Sequence, residues 1–264
     1  MINGFLVPLE SDGYTPPGVN DFKFDGGFIP GVDWVNKPMV QAVIGALLVI
    51  GLWWWASRRL KVVPGKGQFF AEQVYDFVRN SIARDVLGHD YRKYLPYLLG
   101  LFSFVAVNNL FGEFFYFMFP TFSNVGYAYG LAILTWLIYI GAGFRKHGIS
   151  YLRKSLIPEG VPVYLYWLII PLEFLSNFIT RPITLALRLF ANLFAGHLVI
   201  LVFVVGGAYL LTMENNIGYN VAGGISIIFS FAIFALEIFI GLLQAYIFTV
   251  LTAQYVSSSI ADEH

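Results

Sequence analysis

The sequence predicts an all-α integral membrane protein with about five membrane crossings and one amphipathic surface helix. Its last two helices are predicted to be long and steeply tilted, folded as an antiparallel hairpin. Three observations predict this class. Of 264 residues, 58% are hydrophobic and only 12% charged, where a soluble domain carries about 25% charged residues. Mean hydropathy is +0.69. Apolar stretches able to cross a hydrocarbon core of roughly 30 Å recur along the chain, and the last two are about twice that length.

Composition also excludes function classes. Lys plus Arg and Asp plus Glu number 16 each, so no bulk charge suggests nucleic acid. There is no cysteine, which removes disulfides, thiol catalysis and thiolate metal sites. Residues 1–37 are polar and rich in Gly, Pro and Asp, without a basic start and short apolar core. Neither a cleaved signal peptide nor an Arg-rich transit peptide is expected. Residues 38–264 read as a single transmembrane domain.

The first span runs from about Pro38 to Ala56 and ends in Trp53, Trp54 and Trp55, followed by Arg58, Arg59 and Lys61. Interfacial tryptophans followed by cations mark a cytoplasmic exit. From Gln68 to Leu87, apolar residues from Phe69 to Val86 recur at helical spacing among Glu72, Asp76, Arg79, Arg84 and Asp85. That pattern reads as an amphipathic helix on the membrane surface; a soluble helix docked on a partner is the alternative. Tyr94–Phe119 forms the second span. Asn124–Phe144 forms the third, closed by Arg145, Lys146 and His147.

Two stretches remain, about Tyr164–Thr212 and Tyr219–Ser258, separated by the polar turn Glu214, Asn215, Asn216. Splitting each into two spans needs a polar turn halfway. The first offers only Arg181-Pro182 and the second none, so two long tilted helices are expected. The basic segments Arg58–Lys93 and Arg145–Lys154 fall on one side, while the N-terminal tail is acidic. The expected orientation is N-terminus outside and C-terminus cytoplasmic.

The polar residues inside these spans are few: Glu113, Glu173, Asn177, Arg181, Arg188, Asn192, His197, Glu237 and Gln244. Arg188 dominates them. A cation at bilayer depth costs roughly 2.5–3.5 kcal/mol on insertion scales, and no acid lies three or four residues away. At 100° per residue, Asn177, Arg181, Thr184 and Asn192 fall within about 40° of it, forming one stripe. His197, nine residues on, points about 180° away. If the last helices fold back at residues 214–216, His197 and Glu237 reach similar depth and pair. Arg188 and Gln244 likewise meet.

Bland readings accompany each residue. Arg181 is a snorkelling cation or a partner for Glu173. Asn192 and Gln244 are helix–helix glue. His197 and Glu237 are a structural buried pair. Glu173 and Glu113 mark the water interface.

The run RPITLALRLFANLFAGH, the later LLQAYIFTVLTAQYVSSSIADEH and the segment Asn109-Leu-Phe-Gly112 together resemble subunit a of F-type rotary ATP synthases. The resemblance covers about Pro38 to His264 and leaves the acidic tail outside. It implies a stator subunit beside a ring of c subunits, each with a buried carboxylate, with two aqueous half-channels reaching that ring. Peripheral-stalk b subunits are implied as further partners, and a bacterial plasma membrane as the location. No cofactor and no nucleotide chemistry are implied for this chain.

In the resemblance, the essential arginine matches Arg188, which separates the half-channels. His197 and Glu237 match the outer path, with acid and imidazole exchanged relative to some members. Asn192 and Gln244 match polar residues near the arginine. Glu173, with Asn177, matches the inner path. Glu113 departs from the pattern, since many relatives place their polar residue around the preceding position, here Gly112. The rival reading is a secondary transporter whose midplane arginine binds an anionic substrate; that class often shows internal repeats, and none is evident here.

Overall fold

The structure, a computed structural model, describes residues 16–22, 35–58, 60–114, 120–157, 162–213 and 217–261. The turn at Glu214, Asn215 and Asn216, and most of the N-terminal tail, lie outside the described residues. Among the described residues, five helical stretches are long and apolar enough to cross a membrane.

Helix α1 (Lys37–Arg58) follows Asn36, whose Oδ1 accepts from the Met39 backbone N–H at 3.1 Å and from the Tyr127 hydroxyl at 2.6 Å. One asparagine thus caps α1 and ties it to a later helix. Leu47, Ile50, Trp54 and Trp55 stay exposed along α1, an apolar face suited to lipid rather than water.

The amphipathic segment is helical, as its spacing predicts, but it is not uniform. It comprises α2 (Lys66–Val78), a π-helical turn over Arg79–Arg84, and α3 (Asp85–Leu87). Gly88 then adopts φ +54°, a left-handed conformation that only glycine enters without cost. The chain turns there into α4 (Tyr91–Glu113), and the preceding segment packs back against it. Val78, Ile82 and Ala83 are fully buried in this contact, while Phe69 and Phe70 are exposed. The segment is therefore half core element and half exposed apolar face.

Helix α4 ends at Glu113, short of the expected Phe119, and Phe114 is extended; residues 115–119 lie outside the described residues. Packing explains the stop. Gly112 faces Pro120, whose Cβ would lie 2.8 Å from any added methyl. Thr121 donates to Asn108 Oδ1 at 2.9 Å, fastening the returning chain to α4.

Helix α5 (Val125–His147) is capped by Asn124, whose side chain accepts from Gly126 N at 3.0 Å. It runs three residues past the expected Phe144 and stops at Gly148, where φ is +59°. A short helix absent from the sequence reading follows, α6 (Ser150–Leu156), whose Tyr151 ring packs on the backbone of Gly143.

Helix α7 (Tyr166–Phe174), a π-helical turn (Leu175–Thr180) and α8 (Arg181–Thr212) form one run, 50 residues long from Val163. Arg181-Pro182 does not break it. Pro182 has no N–H to donate and its ring crowds the preceding carbonyls. The wider π turn ahead of it, in which Arg181 N bonds Ser176 O, makes room for the ring. Helix α9 (Ile217–Ile260) has 44 residues, about 66 Å at 1.5 Å per residue. Neither long stretch splits.

Helices α4, α5, α8 and α9 pack together, with α1 against α4. One core cluster centres on Ile82, Leu98, Tyr139 and Val256, the other on Val105, Leu185, Leu189 and Phe248. In the most apolar window of Lys66–Glu113, 56% is buried, against 17% for Ile217–Ile260. Helix α4 is thus an inner post of the bundle, while α9 exposes apolar residues up to Leu243 and buries Ala245, Phe248, Ala253 and Val256 in the core beyond it.

Candidate functional site

Arg188 sits on the exposed side of α8, between buried Leu185 and Leu189 on the other face. Among the described residues it takes no hydrogen bond and no ion pair. The costly charge is therefore not buried within this chain; it projects from it. Gln244 is not its partner here. Asn192, one helical turn further along α8, donates instead to Gln244 Oε1 at 2.9 Å. Gln244 is 1% exposed, so this bond pins α8 to α9 beside the arginine. The expected pairing falls one turn away because residue counts from a turn ignore how two tilted helices cross.

A second polar cluster lies on the opposite, buried side of α8. His197 Nδ1 is 3.2 Å from Leu193 O, and Nε2 is 3.3 Å from Gly112 O. Both carbonyls can only accept, so a neutral imidazole satisfies one of them and a protonated ring satisfies both. Nε2 also lies 3.6 Å from Glu113 Oε1, with both side chains nearly enclosed. The residue that the family pattern leaves as a departure is thus the one brought to His197.

Glu237, 2% exposed, reaches the same level by a different contact. Its carboxyl group lies against the backbone of Gly196, in the space a side chain there would fill. Among the described residues, the carboxyl group recorded beside the His197 ring is that of Glu113, not that of Glu237. Glu113 Oε2 and Glu237 Oε2 are buried without a hydrogen-bond partner among the described residues. Bare carboxylate oxygens in a dry interior are costly, so each of these two oxygens is a place where a proton can sit. Asn109, one helical turn before Glu113 on α4, donates to Gly241 O of α9 at 2.9 Å.

The third group lies at the opposite end of the α7–α8 run. Asn177 is buried, so it leaves the stripe shared by Arg181, Thr184, Arg188 and Asn192. The π turn over Leu175–Thr180 is the reason: it changes the angle per residue, and a uniform 100° projection fails across it. Asn177 Nδ2 donates to Glu173 Oε2 at 3.1 Å and to Ser155 O at 3.0 Å. The Tyr139 hydroxyl donates to Asn177 O at 2.9 Å. Arg181 donates to Ser258 at 3.3 Å and lies over the Tyr255 ring, 5.1 Å from its centroid. Glu173 is not its ion-pair partner among the described residues. Ser155, Glu173, Asn177, Arg181 and Ser258 line a cleft of about 200 Å3 together with His147, Lys154 and Ser259.

Sequence reasoning missed Gly196, Tyr139, Ser155 and His147 as members of these groups. Gly196 borders a motif residue, which is a weak signal. The others lie on helices whose packing against α7–α9 no local pattern encodes. Among the described residues there is no cluster of His, Asp and Glu suited to a metal ion.

The family model for the ATP synthase A chain matches residues 39–257. The chain is 45% identical to the ATP synthase subunit a of a Nocardioides species, over 97% of this chain and 96% of that one. It is 38% identical to the ATP synthase subunit a of Pseudarthrobacter chlorophenolicus over the whole of both chains. Its identity to the ATP synthase subunit a of Streptomyces lividans is 36%, over 97% of this chain and 91% of that one.

Proposed function

The chain belongs to the ATP synthase A chain family, and from that premise we propose that it is the stator subunit of a rotary ATP synthase, offering two proton half-channels to the carboxylates of a c ring. The observation that carries the reading is Arg188: an exposed guanidinium in an apolar helix, without a partner among the described residues of its own chain. A charge so placed needs a counter-charge from a neighbour. A passing ring carboxylate is such a partner, present only while it faces the arginine.

The mechanism follows from charge. At 4 Å a guanidinium and a carboxylate attract by about 4 kcal/mol at an effective dielectric of 20. Arg188 therefore stabilises the ionised carboxylate and drives proton release. A guanidinium offers donors only and does not act as a proton relay, so it passes none along. It separates the two paths and blocks a direct leak, which would waste about 2.3 kcal/mol per charge per 100 mV. Asn192 and Gln244, bonded to one another, hold α8 and α9 in register next to the guanidinium.

The outer path uses His197, Glu113 and Glu237. The His197 imidazole can take a proton at one nitrogen and release one from the other, and its acceptor-only surroundings accommodate the extra proton. The inner path uses Glu173 and Asn177, which share a hydrogen bond beside an open cleft. The further partners are the peripheral-stalk b subunits and membrane lipid. Residues 1–37 form a tail outside, 38–264 the transmembrane domain, and the C-terminus lies in the cytoplasm of a bacterial cell. The anion-transporter alternative has no support from the family.

The test is the whole synthase reconstituted with Arg188→Ala. Coupled proton pumping and ATP synthesis are expected to be lost while the complex still assembles. Full coupled activity in that variant sinks the arginine mechanism.

A further inference from the structure

Four charged or titratable side chains besides His147 face the cleft between α5, α6, α7 and the ends of α8 and α9: Tyr151, Lys154, Glu173 and Arg181. They differ in what they can do with a proton. Arg181 holds its own in practice. A lysine ammonium offers donors only, and a tyrosine hydroxyl serves chiefly as a hydrogen-bonding group, whereas an imidazole can take a proton at one nitrogen and give one from the other. The Tyr151 hydroxyl is also 3.2 Å from Ser259 Oγ, within hydrogen-bond reach. That leaves the Glu173 carboxyl group and the His147 imidazole as the side chains of the cleft whose chemistry lets them both take and give up a proton.

His147 has a feature that its place in a basic run does not explain. It is the last residue of α5, and its Nε2 is shielded from solvent yet has no hydrogen-bond partner among the described residues. A ring nitrogen enclosed in this way is costly unless something completes it. The cleft beside it has room for several waters, and waters bridging polar groups serve nearly as well as direct hydrogen bonds.

We propose that His147 is a proton-exchange residue of the inner path, passing protons through cleft water between Glu173 and the medium on that side. This rests on the inner-path reading of Glu173 given above. No covalent step is involved: the imidazole takes a proton at one nitrogen and returns it to water.

The experiment uses the whole synthase in inverted membrane vesicles, where the inner path opens to the external medium. ATP-driven proton pumping is measured against external pH in dilute and in concentrated imidazole buffer, with complex abundance and ATP hydrolysis as controls. His147→Gln is expected to slow pumping in dilute buffer by about tenfold, less than the full gain of a positioned acid–base group because Glu173 and water remain. It is also expected to flatten the pH profile near neutrality, and concentrated imidazole is expected to restore the rate. If His147→Gln does not assemble, His147→Asn is read in the same way.

Wild-type pumping at every pH overturns the proposal. So does a slow variant that imidazole does not rescue, since that marks a structural role. Glu173→Gln separates the two readings. If it pumps normally, the inner-path assignment falls and takes this inference with it. If it is blocked while His147→Gln is normal, only the His147 inference falls.

Discussion

Gly196→Ala adds a single methyl group, and the structure says where it goes. The new Cβ overlaps the Glu237 carboxyl group, inside the contact range of all three of its atoms. Glu237 is 2% exposed, so it cannot swing into open space, and the methyl is fixed to a helix backbone in the middle of α8. Either the carboxylate retracts along α9 or α8 and α9 separate locally. Overpacking of this kind costs about 1–3 kcal/mol, which corresponds to a factor of about 5–150 in population. If proton entry requires the carboxylate where it now lies, outer-path flux falls by that order. Proton pumping and ATP synthesis in inverted vesicles measure it, with complex abundance as the control. The double variant Gly196→Ala, Glu237→Asp tests the cause, because aspartate is shorter by one bond of about 1.5 Å. It is expected to recover assembly, and part of the flux. Gly196→Ala alone with wild-type abundance and wild-type flux refutes the argument, since the carboxylate then has no fixed place against Gly196.

Two further variants report on the frame around the sites. Asn109→Leu removes the bond to Gly241 O that ties α4 to α9; a loss of about 1 kcal/mol is expected, read as a lower thermal midpoint of the purified subunit complex in detergent. Asn124→Ala removes the cap of α5, with an expected cost of about 1 kcal/mol, measured in the same assay and without change in the pH profile of pumping.

Helix existence was legible because hydropathy and a 3.6-residue period are properties of a segment by itself. The first span, the amphipathic segment and the two long helices all appear where those patterns put them. Helix ends were less legible. Helix α4 stops at Glu113 because Pro120 packs on Gly112, a contact between residues whose meeting no local window reports. The π turns at Arg79–Arg84 and Leu175–Thr180 were invisible to a fixed angle per residue. The second of them removed Asn177 from the Arg188 stripe.

The polar inventory was complete enough to name every acid and imidazole now found in the cluster around His197. Its pairings were not. Counting residues from a turn assumes straight helices of equal rise, whereas the register of α8 on α9 is set by side-chain packing and by the close approach at Gly207 and Gly223, each against the other's backbone. One turn of error exchanges Arg188 for Asn192 as the partner of Gln244, and leaves Glu113, on a third helix, to meet His197.

By itself, then, the sequence determined that this is a helical membrane protein with a charge it cannot neutralise locally, since both follow from the chemistry of consecutive residues. The tertiary structure alone decided which way that charge faces and which acids share an enclosure. Those depend on helix crossing, on π turns and on the absence of a glycine side chain, which are settled by packing between segments far apart in the chain.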